Sequence, residues 1–212
     1  MLSARNIIEG SFYAMEQAGS LINDAAALYA QGKWPSSLVL AVFSLEELGK
    51  AEILLQRGIE AATTGPKSRD QVIAGGAAHQ TKLKAGRGPA TVTTAVNFCG
   101  DIPAPNAAES AALEAQLDAA EQIALDNAPA EAHAARMHAL YVDLGMDEAW
   151  AKPKETSASE AYLMVSAASI EYGVRREKFV HPTGAAVTQA VQELADLLPV
   201  LPEAADVHWP HG

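Results

Sequence analysis

The segment Ser37–Leu55, SLVLAVFSLEELGKAEILL, is apolar around most of a helical circumference, which is the pattern of a helix buried centrally among others rather than laid on a surface. At about 100° per residue, Val39, Phe43, Glu46, Lys50 and Ile53 fall in one narrow stripe, so two charged residues share a face otherwise made of core side chains. Carboxylates are rarely buried unpaired, because desolvation is costly. Two readings follow. Either Glu46 pairs with Lys50 one turn away and stabilises a bundle, or Glu46 or Glu47 faces a polar pocket as a functional carboxylate.

Working outward, Ile7, Phe12, Met15, Leu21, Ile22, Ala25, Leu28 and Tyr29 recur at three- and four-residue steps without proline, which predicts an amphipathic helix over 3–30. Gly32 supplies its stop, and Pro35 suits the first turn of the central helix, predicted over Pro35–Arg57. Gly58 to Arg69 reads as a loop, with a weaker helix to about Lys84 despite the Gly75–Gly76 pair. Residues 86–106 carry glycine, proline and threonine without periodicity and form the longest irregular connection. Helical signal returns over 107–127, and Pro129 opens a further helix to about Leu144. A break spans Trp150 to Glu155. Ser157-Ala-Ser-Glu160 matches a capping box, which predicts a helix from Ala158 to near Val180; a last amphipathic segment covers about Gly184 to Leu198. The pattern describes one all-α helical bundle over 1–198, with an irregular tail at 199–212.

Composition agrees. Hydrophobic residues make up 49% of the chain and aromatic residues 6%, and much of the apolar share is alanine, which favours close-packed helices over strands. Fifteen Lys and Arg against 26 Asp and Glu leave a formal charge of −11, so a polyanion could be held only by a local patch. The single cysteine, Cys99, builds neither a disulfide framework nor a cysteine zinc site. No glutamate has a histidine three residues later, so the di-iron bundle pattern is missing; Glu177 and His181 make only a lone helical pair. There is also no phosphate-binding glycine loop and no nucleophile elbow. The expectation is no metal and no cofactor. The N-terminal MLSARNIIEG lacks a basic stretch leading into an apolar run, and no segment reaches the ~20 apolar residues of a span, which predicts a cytoplasmic chain without a membrane partner.

Several spaced segments resemble a known family. Asn23-Asp24-Ala25, Leu28-Tyr29-Ala30-Gln31-Gly32, Ser44-Leu45-Glu46-Glu47-Leu48-Gly49-Lys50-Ala51, His79 with Lys82, and Arg136 followed by Leu140-Tyr141-Val142-Asp143 are together similar to the AbiV-type abortive-infection proteins, a phage-defence family within the HEPN group. The resemblance covers roughly residues 15–155. It implies a HEPN-like helical bundle and a role in stopping phage multiplication, by RNA cleavage or by blocking translation. Many HEPN proteins are metal-independent ribonucleases that carry an arginine, then four to six residues, then a histidine, with two chains contributing to one site. Arg176-Glu-Lys-Phe-Val-His181 matches with four intervening residues and Arg175 with five. An imidazole can move the proton of a 2′-hydroxyl or of a leaving group, and a guanidinium can hold the phosphate as charge develops. Glu177, directly after Arg176, departs from the usual polar residue there and repels phosphate.

The resemblance thus implies two groups of candidate residues. Arg176 and His181 are candidate catalytic residues, with Arg175 as substrate-binding partner. Glu46, Glu47, Lys50 and His79, with Lys82 and Arg136 binding substrate, form a second group that converges if the helices fold back on one another. The expected partners are a second copy of the chain, RNA, and a phage or host protein. The alternative function is a non-enzymatic helical interaction protein, or an antitoxin-like regulator whose acidic charge suits a basic partner.

Overall fold

In the computed structural model the described residues are 1–73, 79–86, 130, 132, 136, 139, 143–144, 150–151, 156–182, 184–195 and 197–203. The first helix, α1 (Ala4–Ala30), starts at a capping box between Ser3 and Asn6, and Gly32, at φ 71°, turns the chain back. The second, α2 (Trp34–Thr64), has Pro35 in its first turn. The two helices lie antiparallel, and their contact is made by small residues. Ser37 Oγ donates to Ala25 O at 2.7 Å and Ser44 Oγ to Ala18 O at 3.0 Å, so each buried hydroxyl is satisfied by the opposite backbone, and the two backbones can approach closely. Ile8, Phe12, Met15 and Ile22 of α1 and Val42, Leu45 and Leu48 of α2 are buried between them. No described helix is long and apolar enough to cross a membrane.

The central helix is longer than predicted. It runs through Gly58 to Thr64, where the local sequence reads as a loop. A glycine in a helix interior costs ~1 kcal/mol relative to alanine, but a Cβ at Gly58 would stand 2.4 Å from Ile8 Cγ1. Close packing against α1 therefore keeps the position small, and tertiary contact overrides the local signal. Gly65, at φ 89°, ends the helix, and Leu2 and Lys67 exchange backbone hydrogen bonds of 2.7 and 3.0 Å just beyond it.

Of the weaker helix expected to about Lys84, the described residues show α3 (Arg69–Ile73) and α4 (His79–Gly86), and residues 74–78 lie outside the described residues. α4 crosses α2 with almost no separation. A Cβ on Gly49 would lie 1.7 Å from Lys82 O, and one on Gly86 would lie 1.9 Å from Leu45 O. Two facing glycines thus set the crossing, and Leu83 is fully buried there.

Residues 87–106 of the predicted irregular connection and the predicted helix 107–127 lie outside the described residues. Ala130, Ala132, Arg136 and Ala139 are helical, as Pro129 announces, but that helix cannot reach Leu144. Asp143–Leu144 (β1) pairs antiparallel with Trp150–Ala151 (β2), so the expected break begins with a two-residue strand. This ladder is the one sheet among the described residues of an otherwise helical fold.

The capping box of Ser157 and Glu160 starts α5 (Ala158–Val180) as predicted. α5 lies on α1 and α2: Phe179 meets Phe12 edge to face at 5.0 Å, and Tyr172 is fully buried against Gly19. The last helix, α6 (Ala185–Leu194), is shorter than the predicted 184–198. After it, residues 199–203, the described part of the tail expected to be irregular, fold back, with Leu201 buried in the main core and the Tyr172 hydroxyl donating to Pro202 O at 2.7 Å.

Burial pushes the Tyr172 phenol up to about 12 from an ordinary 10, with Arg176 beside it pulling the other way. A raised phenol keeps its proton in the folded chain when the unfolded chain has lost it, so the linked stability is fully present below pH 10 and lost as pH approaches 12. Chemical denaturation across that window is expected to show a smaller alkaline loss in Tyr172→Phe than in wild type. An equal loss in both would refute the assignment.

Candidate functional site

Charged side chains meet the fold in two places. The first is the middle of α2. Glu46 is buried and accepts a hydrogen bond from Arg136 at 2.7 Å, the two side chains being 6% and 7% exposed. The guanidinium also lies over the Phe43 ring, 5.4 Å from its centre. The stripe on α2 thus brings Phe43 and Glu46 to the same cation.

Lys50 does not join this pair. Its ammonium turns outward to Glu47, 2.9 Å away, the lysine being exposed and the glutamate half-buried. The Glu46–Lys50 pair expected from helix spacing is therefore replaced by two different pairs, because Glu46 faces the core and Lys50 the rim. Lys82 is half-buried on α4, where its backbone carbonyl faces Gly49. His79 begins α4; its side chain lies outside the described residues.

The second place is the C-terminal end of α5. Its two adjacent arginines diverge. Arg175 is buried and forms a salt bridge with Glu171, itself 1% exposed. It also donates to Ala85 O at 3.0 Å and approaches Glu52 at 4.0 Å, and so ties α5 to α4 and α2. Arg176 points the other way. One of its terminal nitrogens is 2.6 Å from Glu203 and the other 3.7 Å from Glu177, and its side chain is 19% exposed. His181 caps the helix, its backbone N–H donating to Glu177 O at 2.8 Å. The imidazole is 77% exposed, with Nε2 3.9 Å from the second Glu177 oxygen. One carboxylate, Glu177, therefore stands between the arginine and the histidine of the motif.

Sequence reasoning did not single out Glu171, Glu52 or Glu203. The Glu171–Arg175 pair has a local signal, a four-residue helical spacing with acid before base. Glu203 has none, since it reaches Arg176 only through the return of the chain after α6.

Comparison with known proteins gives one family. The model HEPN_AbiV, described as AbiV, matches residues 6–170. The match takes in Glu46, Glu47, Lys50, His79, Lys82 and Arg136 and stops before Arg175, Arg176 and His181. No curated protein and no solved structure matches the chain.

Proposed function

Because this chain belongs to the AbiV-type HEPN family of abortive-infection proteins, we propose that it is a phage-defence effector that cleaves RNA at the Arg176–His181 end of α5. The observation that carries this reading is the divergence of the two arginines. Arg175 is consumed by Glu171 and the core, whereas Arg176 and His181 flank Glu177 at an open helix end.

The chemistry needs no metal. Arg176 holds the non-bridging oxygens of a phosphodiester, and the neighbouring 2′-hydroxyl attacks phosphorus as its proton passes to a base. The P–O5′ bond breaks, the leaving oxygen takes a proton, and a cyclic phosphate remains. His181 serves as one proton carrier, and a second copy of the chain supplies the other. A homodimer finds support on the same helix. Leu163 and Val174 of α5 are 67% and 46% exposed, and with Ala167 and Ile170 they follow four- and three-residue steps, forming an apolar stripe that a symmetry mate can cover.

The test is the double variant Arg176→Ala/His181→Ala, followed by RNA integrity and phage plating during infection. His181 is exposed and Arg176 pairs with the exposed Glu203 and Glu177 rather than with a buried charge, so the variant is expected to keep its helical circular dichroism and lose cleavage by at least about 100-fold, the usual scale of a general acid–base contribution. Undiminished protection would refute the reading. In that event the Arg–His pair is structural, and the Glu46/His79 region, inside the family match, or a binding role becomes the better account.

A further inference from the structure

The contact between Arg176 and Glu203 has little structural purpose. Glu203 is 85% and Arg176 19% exposed, so the pair opens to solvent on the Glu203 side, where ion pairing contributes little to stability. Yet the segment that delivers it is firmly held. The chain leaves α6 at Leu194, turns through hydrogen bonds from the Leu197 and Leu198 amides to Leu194 O, and inserts Leu201 into the core while Val200 stays 92% exposed. The buried Tyr172 hydroxyl grips Pro202 O at 2.7 Å. Glu203 follows directly, its carboxylate 2.6 Å from the outer edge of Arg176. Inside, Arg176 Nε is buried with no hydrogen-bond partner among the described residues. The guanidinium therefore has its Nε set in the protein and its outer edge turned to carboxylates supplied by the chain itself, Glu203 at 2.6 Å and Glu177 at 3.7 Å. A carboxylate and a phosphodiester engage that edge with the same paired oxygens.

We propose that residues 199–203 form an intramolecular stopper, in which Glu203 occupies the place on Arg176 that an RNA phosphate takes. This rests on the RNA-directed reading above. Leu201 and the Tyr172–Pro202 hydrogen bond keep the stopper at high effective concentration. Binding of RNA then requires Glu203 to swing away, which its exposed side chain can do without disturbing the core. The resting protein is thereby held at reduced affinity by its own acid.

The experiment measures binding and cleavage of a short labelled single-stranded RNA by the full chain at low salt, in wild type, Glu203→Gln, Glu193→Gln and Arg176→Ala/Glu203→Gln. Glu193→Gln removes the same charge from an exposed position on α6 and reports the global electrostatic effect. Glu203→Gln is expected to bind about two- to five-fold tighter than wild type, the range an exposed pair allows. Glu193→Gln should show no comparable gain, and the double variant should lose the gain altogether. Equal affinities for the two single variants, a gain that survives without Arg176, or no RNA binding by any of the proteins overturns the proposal. Tighter binding without cleavage by any variant sustains the stopper and sinks the ribonuclease reading. Cleavage that depends on Arg176 but ignores Glu203 does the reverse.

Discussion

Replacing Gly49 by alanine is expected to lower the melting temperature by about 6–12 °C, taking ~3 kcal/mol of overpacking and 2–4 °C per kcal/mol for a chain of this size. The added methyl would meet Lys82 O at 1.7 Å and Gly86 N at 2.8 Å. Both are backbone atoms, so no side chain can swing aside; α4 as a whole must move off α2. Leu83, fully buried at this crossing, is then partly exposed, and Ala85 O withdraws from Arg175. The matched control is Gly173→Ala on α5, where a Cβ meets nothing within 4 Å; there alanine is expected to be neutral or to stabilise by up to ~1 kcal/mol through helix propensity. Thermal unfolding of both variants decides the matter. If they melt alike, α4 is not docked on Gly49.

The second large effect is expected at Glu46. Glu46→Ala removes the carboxylate bonded to a guanidinium that is 7% exposed, and breaking a buried pair from one side typically costs about 3–5 kcal/mol. The joint replacement Glu46→Met/Arg136→Leu removes both charges and retains volume, and is expected to recover most of that loss. Urea denaturation gives the stabilities, and phage plating gives the function. A double variant that is stable and protective identifies the pair as a structural tie between α2 and the helix of Arg136. A double variant that is stable and unprotective moves the functional site to Glu46 and away from the end of α5.

The Ser44–Ala51 run that most resembles the family acquires a physical explanation from these contacts. Ser44 bonds to the α1 backbone, Leu45 and Leu48 fill the core, Glu46 meets Arg136, and Gly49 admits α4. These residues meet different neighbours, which is why the segment was informative as a string while its roles were not. Helical spacing offered Lys50 as the partner of Glu46 because Lys50 is one turn away. The actual partner lies ninety residues on, where no local rule reaches. The Arg-x4-His pattern was equally visible, but nothing local told Arg175 from Arg176. Their separation follows from the rotation of successive residues around α5: one arginine turns to the core and Glu171, the other to solvent and Glu203.

By itself, the sequence determined the helical class, the starts of α2 and α5 at Pro35 and Ser157 and the burial of α2, because caps and helical periodicity are written within a few residues; the family was legible in the spaced segments that resemble it. Only the tertiary structure decided that Gly58 stays inside a helix, that Glu46 faces Arg136, and that the chain after α6 returns to cover Arg176. These outcomes depend on which surfaces meet, and that is settled by packing between segments distant along the chain.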